Sequence, residues 1–594
     1  MWHSAALSVV ALETNNTPEG KENLQGFTLH FFFCFFEDFS GGIGGVQTCK
    51  ETMAPTEELS SGEIYPLKTW EELLEWTGQN LHNVIVNTKK LCSRVSPHSP
   101  SHPKTLVCHD MKGGYLEDRL FSGSKNKDAY RFYHWSGIDT FVYFSHHFVT
   151  IPPPGWINTA HHHGVKVLGT LITEWDEGAN ICQKMLANED SVAACVSQLV
   201  KIANYHSFEG WLINIENKID PEQVEQLRDF VQKLTLAMKE SLPDALVLWY
   251  DSVTTRGELC WQNELNNYNR PFFDACDGIF LNYTWTNDHL IRSREVAGER
   301  TGQVYVGLDV FGRNFYEGGK FNTHKALEAA RLHNLSAAIF AQGWTHETQD
   351  NFVEAEKMMW SSLAPYLAHH GPSCLPFRTS FCQGFGSKHF LRGKIEGSNP
   401  WYDLSKQQYQ PLWSQEQGSA TMTLETTEAF TGGGCLRLTT VSPSTVRLFV
   451  CGISWRVALI VSLCYKWCGP VVPFSLELHL GPATVTSDTP VTQRIVTLIC
   501  ENNSGKLEDN AHIEENENLA SGNSLESTEQ VMTENPDQPP MVVDTEENGW
   551  TIRSFSIKEV EGNELKQIDL KLEGASSVLV GELDLTNRCI KGLG

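Results

Sequence analysis

The chain has 594 residues, a formal net charge of −26, and 17 Trp, 15 Tyr and 16 Cys. Its length suggests two or three domains. The negative balance argues against nucleic acid or an anionic membrane surface, whose phosphates are bound by clustered Lys and Arg. A neutral or polar uncharged substrate fits better, and the aromatic content is compatible with stacking on sugar faces, although large aromatic side chains are more often core.

Residues 1–60 combine a phenylalanine run, the glycine cluster GGIGG and polar filler with no sustained period, and are read as an unassigned, poorly ordered extension. The apolar run near the start has no Lys or Arg before it, so it makes a poor secretory signal. FTLHFFFCFF at 27–36 is too short for a membrane span, and Val446 to Tyr465 is interrupted by Arg447 and Arg456. The cysteines form no CxxC pair, and CYKWC at 464–468 matches no standard zinc spacing. Free thiols, no membrane insertion and a cytosolic setting are therefore expected, with the sequon at Asn15 unused.

From about residue 105, short apolar and β-branched runs alternate with segments of helical composition. The runs are TLVCHD (105–110), TFVYFSHH (140–147), VKVLGTLITEW (165–175), GWLINIEN (210–217), ALVLWYDS (245–252), GIFLNYTW (278–285), QVYVGLDV (303–310) and AAIFAQGW (337–344). Segments such as SVAACVSQLVKIANY and PEQVEQLRDFVQKLTLAMKESL carry apolar residues at helical spacing, the second with Pro221 at its start. Eight buried strands, each followed by a helix, predict an α/β fold of the (β/α)8 TIM barrel type over 61–370. Residues 371–594 switch to short alternating runs punctuated by Pro, Gly, Ser and Thr, which predict a C-terminal β-sandwich region. Within it, 501–548 is rich in Glu, Asp, Asn and Ser with a single Lys, and reads as a disordered acidic insertion.

In such a barrel the active site lies at the carboxyl ends of the strands. The residues there are His109, Asp110, Ser145 to His147, Glu174 to Asp176, Asn214, Glu216, Tyr250, Asp251, Asn282, Tyr283, Trp285, Asp309, Gln342 and Trp344. Side chains alternate along a strand, so Asn214 and Glu216 both face the barrel mouth if Ile213 and Ile215 face the helices. One carboxylic acid beside one amide suits substrate-assisted glycoside cleavage, in which a 2-acetamido group attacks its own anomeric carbon and forms an oxazoline. Glu216 would be the proton donor, held neutral by burial. Asn214 would accept a hydrogen bond from the acetamido N–H.

The motifs LVCHDMKGGYLEDR (106–119), VLGTLITEWDEG (167–178), GWLINIEN, LWYDSVTTRGELCWQNELN (248–266) and VYVGLDVFGR (304–313) occur in order, and this set resembles the glycoside hydrolase family 85 enzymes. The resemblance implies cleavage of the β-1,4 bond in the N,N'-diacetylchitobiose core of N-linked glycans, on glycopeptides and free oligosaccharides, with no cofactor. It implies Glu216 as general acid/base, Asn214 as support for the acetamido group and Tyr250 as its assistant. Trp261 and Trp285 would be aromatic walls of the substrate site, with Glu174, Trp175, Asp251, Tyr283 and Asp309 lining it.

Three other readings stand beside this one. A metal hydrolase would use His146, His147 and the run His161 to His163, but adjacent strand residues face opposite ways, and AHHHG is expected at a solvated helix end. A barrel that only binds glycans would gain little from a buried acid. A two-carboxylate retaining glycosidase would draw its nucleophile from Asp251, Glu174 or Asp309.

Overall fold

The computed structural model describes residues 63–78, 89–95, 102–413, 419–455, 458–482, 493–500, 511–516, 542–557 and 563–587. The extension 1–60 and most of the expected acidic insertion lie outside these residues. Two stretches inside the insertion, Ala511–Asn516 and Val542–Glu547, are strands paired into sheets, so those parts of 501–548 are structured.

Eight parallel strands close into a barrel: β1 Thr105–His109, β2 Thr140–Tyr143, β3 Lys166–Glu174, β4 Gly210–Glu216, β5 Leu246–Tyr250, β6 Gly278–Leu281, β7 Val304–Asp309 and β8 Ser336–Phe340. Each pairs with the next in sequence, and β8 pairs with β1 through Ala337 opposite Thr105. Alternation divides their apolar residues between two packing layers. Leu106, Val142, Leu168, Leu212, Leu248, Phe280, Tyr305 and Ala338 form an inner cluster, whereas Val107, Phe141, Val167, Ile213, Val247, Ile279, Val306 and Ile339 pack in the large outer cluster with the helices. Gly210 opens β4 with φ +153, and a Cβ there would lie 2.0 Å from the Leu246 carbonyl oxygen. Only glycine permits that close pairing of β4 with β5.

Helices α1 Pro154–His162, α2 Trp175–Met185, α3 Glu189–His206, α4 Val224–Ser241, α5 Arg270–Ala275, α6 Asn287–Ala297, α7 Thr323–Leu332 and α8 Phe352–Leu363 surround the strands. The expectation of a helix after every strand fails once. Between β1 and β2 the chain runs through 110–139 with only the 3-10 turns Glu117–Arg119 and Trp135–Gly137. From this segment Phe132 and Trp135 pack on Phe141 of β2, which also stacks on Trp156 of the following helix.

The C-terminal region is an antiparallel sandwich. One sheet orders strands 420–425, 435–440, 576–586, 459–467, 550–557 and 542–547, and the other orders 444–453, 563–572, 474–482, 493–499 and 511–516. Leu436, Leu438, Val461, Leu463 and Val580 of the first share a core with Val446, Leu476, Leu478, Ile568 and Leu570 of the second. The 446–465 stretch supplies one strand to each sheet. Among the described residues, no helix is long and apolar enough to cross a membrane.

Residues between barrel and sandwich fasten the β1–β2 segment. The Tyr402 hydroxyl donates to the Tyr130 carbonyl at 2.8 Å, Gln407 Nε2 donates to the Phe132 carbonyl at 3.0 Å, and the Trp135 indole donates to Gln407 Oε1 at 2.5 Å. Arg131 lies 3.7 Å above the Phe385 ring and donates to Gln383 Oε1.

Candidate active site

The site starts from the alternation of β4. Leu212 belongs to the inner cluster, while Ile213 and Ile215 belong to the outer one. Asn214 and Glu216 therefore continue the inner face into the mouth. Asn214 is 4% exposed, and its Oδ1 is buried with no hydrogen-bond donor among the described residues. A buried amide oxygen without a partner costs about 1–3 kcal/mol, so its retention asks for a functional reason.

Glu216 is half-buried, and its carboxyl is pushed up from 4.5 to about 7. Burial contributes most, the Glu174 carboxylate adds to it, and the Trp261 hydrogen bond and His146 oppose it. Glu174 ends β3 and is the register partner of Glu216 on β4. His146, in the loop after β2, places Nδ1 at 3.2 and 3.1 Å from the two Glu174 oxygens. Trp261 donates its indole N–H to Glu216 Oε1 at 3.3 Å.

Tyr250 closes β5 on the inner face, and its hydroxyl donates to Asn282 Oδ1 at 2.8 Å. Asn282 Nδ2 donates to Asn263 Oδ1 at 2.8 Å. Asp251, one residue further, is 1% exposed and accepts from the backbone N–H of Gln262 (3.2 Å) and Asn263 (2.7 Å) and from Asn269 Nδ2 (3.0 Å). It thereby fixes the loop that carries Trp261. Asp309 at the end of β7 is held by both Arg313 Nε and Nη2 at 3.0 Å. Asp110, after β1, sits in the field of His146, Arg313, Glu174 and Asp309. The mouth is thus acidic, with the Arg313 guanidinium in it and the His146 imidazole pushed up by its contact with Glu174.

Residues 115–389 match the sequence profile of glycosyl hydrolase family 85. That stretch takes in barrel strands β2 to β8. The chain is 46% identical over 433 residues to mouse (Mus musculus) cytosolic endo-beta-N-acetylglucosaminidase, covering 70% of this chain and 59% of the relative. For the human (Homo sapiens) protein of that name the identity is 45% over 432 residues, covering 70% and 58%. The chain thus spans a little under 60% of the length of these two relatives. The glycoside hydrolase domain of Endo-D from Streptococcus pneumoniae R6 shares the fold, with a TM-score of 0.67 and 20% identity over 89% of this chain and 83% of that one.

The barrel gathers Glu216, Asn214, Glu174, Trp175, Trp261, Tyr250 and Tyr283 at one end, while Trp285, Asp251 and Asp309 are engaged elsewhere. Trp285 is 3% exposed, stacks on Tyr316 at 4.9 Å and donates to the Gly307 carbonyl at 2.8 Å. It belongs to the barrel shell, whereas Trp175 (64% exposed) and Trp261 (41%) present open faces. Asp251 and Asp309, expected to line the substrate, spend their oxygens on loop donors. Tyr283 packs between Tyr250 and Phe340, close against Gly307, where a Cβ would meet its ring at 2.9 Å.

The histidine runs also resolve. AHHHG is not solvated. His161 is buried between the Lys89 carbonyl (2.6 Å) and Glu209 (3.1 Å), His162 packs on Tyr409, and His163 bonds to the Thr159 carbonyl. On the sandwich, Glu477, His479 and Asp569 bring ligand atoms within 4.8 Å of one another. There His479 pairs with Asp569 at 3.1 Å, and Arg447 and Lys571 flank the carboxylates, which makes the cluster an ion-pair network.

Sequence reading missed the linking roles of His146, Asn263 and Asn282. Asn282 was visible as a strand-end residue, and His146 only as a metal candidate. Asn263, at φ +58 in a turn, carries no signal in the sequence.

Proposed function

We propose that this chain is an endo-β-N-acetylglucosaminidase that cleaves the β-1,4 bond between the two N-acetylglucosamine units of the N-glycan core. One N-acetylglucosamine stays on the peptide or on the reducing end of a free oligosaccharide. The observation that carries this reading is the shared inner face of Asn214 and Glu216. It puts a carboxyl pushed up to about 7 on the same face as an amide oxygen that lacks a donor among the described residues. The names of the mouse and human relatives support both the activity and a cytosolic setting.

In this mechanism protonated Glu216 gives its proton to the glycosidic oxygen as the bond to the anomeric carbon breaks. The substrate's own acetamido oxygen closes on that carbon, and the N–H of the resulting cationic oxazoline donates to Asn214 Oδ1. The Glu216 carboxylate then takes a proton from the water that attacks the anomeric carbon, and the oxazoline reopens with the configuration retained. Tyr250, its proton committed to Asn282, offers an oriented oxygen beside the same group. Trp175 and Trp261 supply open aromatic faces for sugar rings.

Incubation with a mannose-type glycopeptide, followed by mass spectrometry, tests the reaction. A peptide retaining one N-acetylhexosamine supports it, and a bare peptide with Asn converted to Asp would point to amidase chemistry instead. The two-carboxylate alternative is narrowed by the loop bonds of Asp251 and Asp309 to Glu174. A thiazoline analogue of N-acetylglucosamine separates the two, since it mimics the oxazoline and should inhibit only the substrate-assisted enzyme.

A further inference from the structure

The general-acid reading of Glu216 leaves open how a carboxyl in an open mouth keeps its proton beside Glu174 on the neighbouring strand. Strands in a sheet lie about 4.8 Å apart, so register partners at strand ends are close enough to resist joint ionisation. Two contacts orient the pair. His146 Nδ1 approaches both oxygens of Glu174, so the two side chains hold one another in place. On the other side, the Trp261 indole can only donate, so Glu216 Oε1 is an acceptor and a proton on this carboxyl belongs to Oε2.

Resting on the Glu216 assignment, we propose that His146 and Glu174 form a positioning dyad: His146 holds both oxygens of Glu174 beside Glu216, and the Glu174 carboxyl so placed favours a proton on Glu216 Oε2. Neither residue is asked to exchange a proton with the substrate. The electrostatic balance agrees, because Glu174 raises the Glu216 carboxyl while Glu174 and Asp110 raise the His146 imidazole. The other groups facing the trio are Asp110 beyond β1, His147 beside His146, Tyr250 on β5 and Tyr283 after β6; the Asp309–Arg313 pair of β7 acts on Asp110. Of these, Asp110 adds negative charge near His146, and the two tyrosines stay neutral over the working range because burial pushes them up.

The dyad makes two substitutions act in opposite directions on the pH profile. Glu174→Gln removes a negative neighbour, so the Glu216 proton leaves more easily and the alkaline limb of kcat/KM should move down by about half to one pH unit. His146→Gln keeps a hydrogen-bond donor to Glu174 but removes the positive charge. The alkaline limb should then move up by a few tenths of a unit or more. A residue that merely braces the loop would lower the rate without moving the limb.

The experiment measures kcat/KM on a glycopeptide from about pH 5 to 9 for the wild type, both variants and Glu216→Gln. Opposite shifts support the dyad. Limbs unmoved in both variants, with Glu216→Gln inactive, overturn the dyad and leave the acid assignment standing. An active Glu216→Gln with the wild-type limb removes the acid assignment and the dyad with it. Should Glu174→Gln fail to fold, His146→Gln, altering a largely exposed side chain, decides the matter by the direction of its own shift.

Discussion

The indole nitrogen of Trp261 and a carboxyl oxygen of Glu216 meet at 3.3 Å across 45 residues of chain. This contact joins the loop after β5 to the end of β4, so an exposed aromatic face and the proposed proton donor are set by one hydrogen bond. Trp261 therefore has two separable roles, as a surface for sugar and as an orienting donor. Trp261→Phe should keep most of the apolar face and lose the donor, lowering kcat more than it raises KM. Trp261→Ala should lose both, and steady-state kinetics on one glycopeptide distinguish the two patterns.

Trp285 gives the opposite expectation. With 3% exposure, a stacked partner and its indole N–H used by Gly307, it is a shell residue. Trp285→Ala should cost about 3–5 kcal/mol of stability. Denaturant unfolding would show this, and Trp261→Ala should leave stability within about 0.5 kcal/mol of the wild type.

Glu216→Gln should lower hydrolysis by about two to four orders of magnitude, because an amide cannot deliver the proton. The same change should stabilise the fold, and only above a certain pH. The folded carboxyl sits at about 7 against 4.5 for the ordinary group, so below 4.5 both states are protonated and no penalty exists. Between those values the unfolded chain releases the proton while the folded one retains it, and stability falls as pH rises. The penalty reaches on the order of 2–3 kcal/mol above pH 7. Melting curves at pH 5 and pH 8 should therefore diverge for the wild type more than for the variant.

Asn214→Ala should abolish turnover of glycopeptide while sparing reaction of a pre-formed oxazoline donor, since the ring no longer has to be built. Its stability should be unchanged or higher, because the buried Oδ1 has no donor to lose. Normal glycopeptide hydrolysis by this variant would sink the substrate-assisted mechanism.

Asp251→Ala should cost about 2 kcal/mol or more, as two backbone N–H groups and Asn269 lose their acceptor. The released loop should raise KM by freeing Trp261. If KM is unmoved, the loop is positioned by other contacts, Arg292 with Glu264 being the first to examine.

The barrel was legible because parallel strands buried on both faces read as unbroken apolar runs; seven fall within the runs that the sequence marks, and β8 begins one residue before its run. The Asn214 and Glu216 orientation followed from strand alternation alone. What alternation cannot tell is which aromatic side chain stays open. Trp261 and Trp285 look alike in sequence, and it is the later Phe315 and Tyr316 rings and the Gly307 carbonyl that cover the second. The histidine run misled for the same reason, because Glu209 and Tyr409 lie far along the chain.

The missing helix after β1 bears on how this chain matures. The segment between β1 and β2 rests on Tyr402 and Gln407, which leave the ribosome about 270 residues later. Synthesis runs from the N-terminus, and early domains ordinarily settle first. Here the β1–β2 segment waits for the last third of the chain, so the catalytic half should acquire its native form only after translation has passed it by.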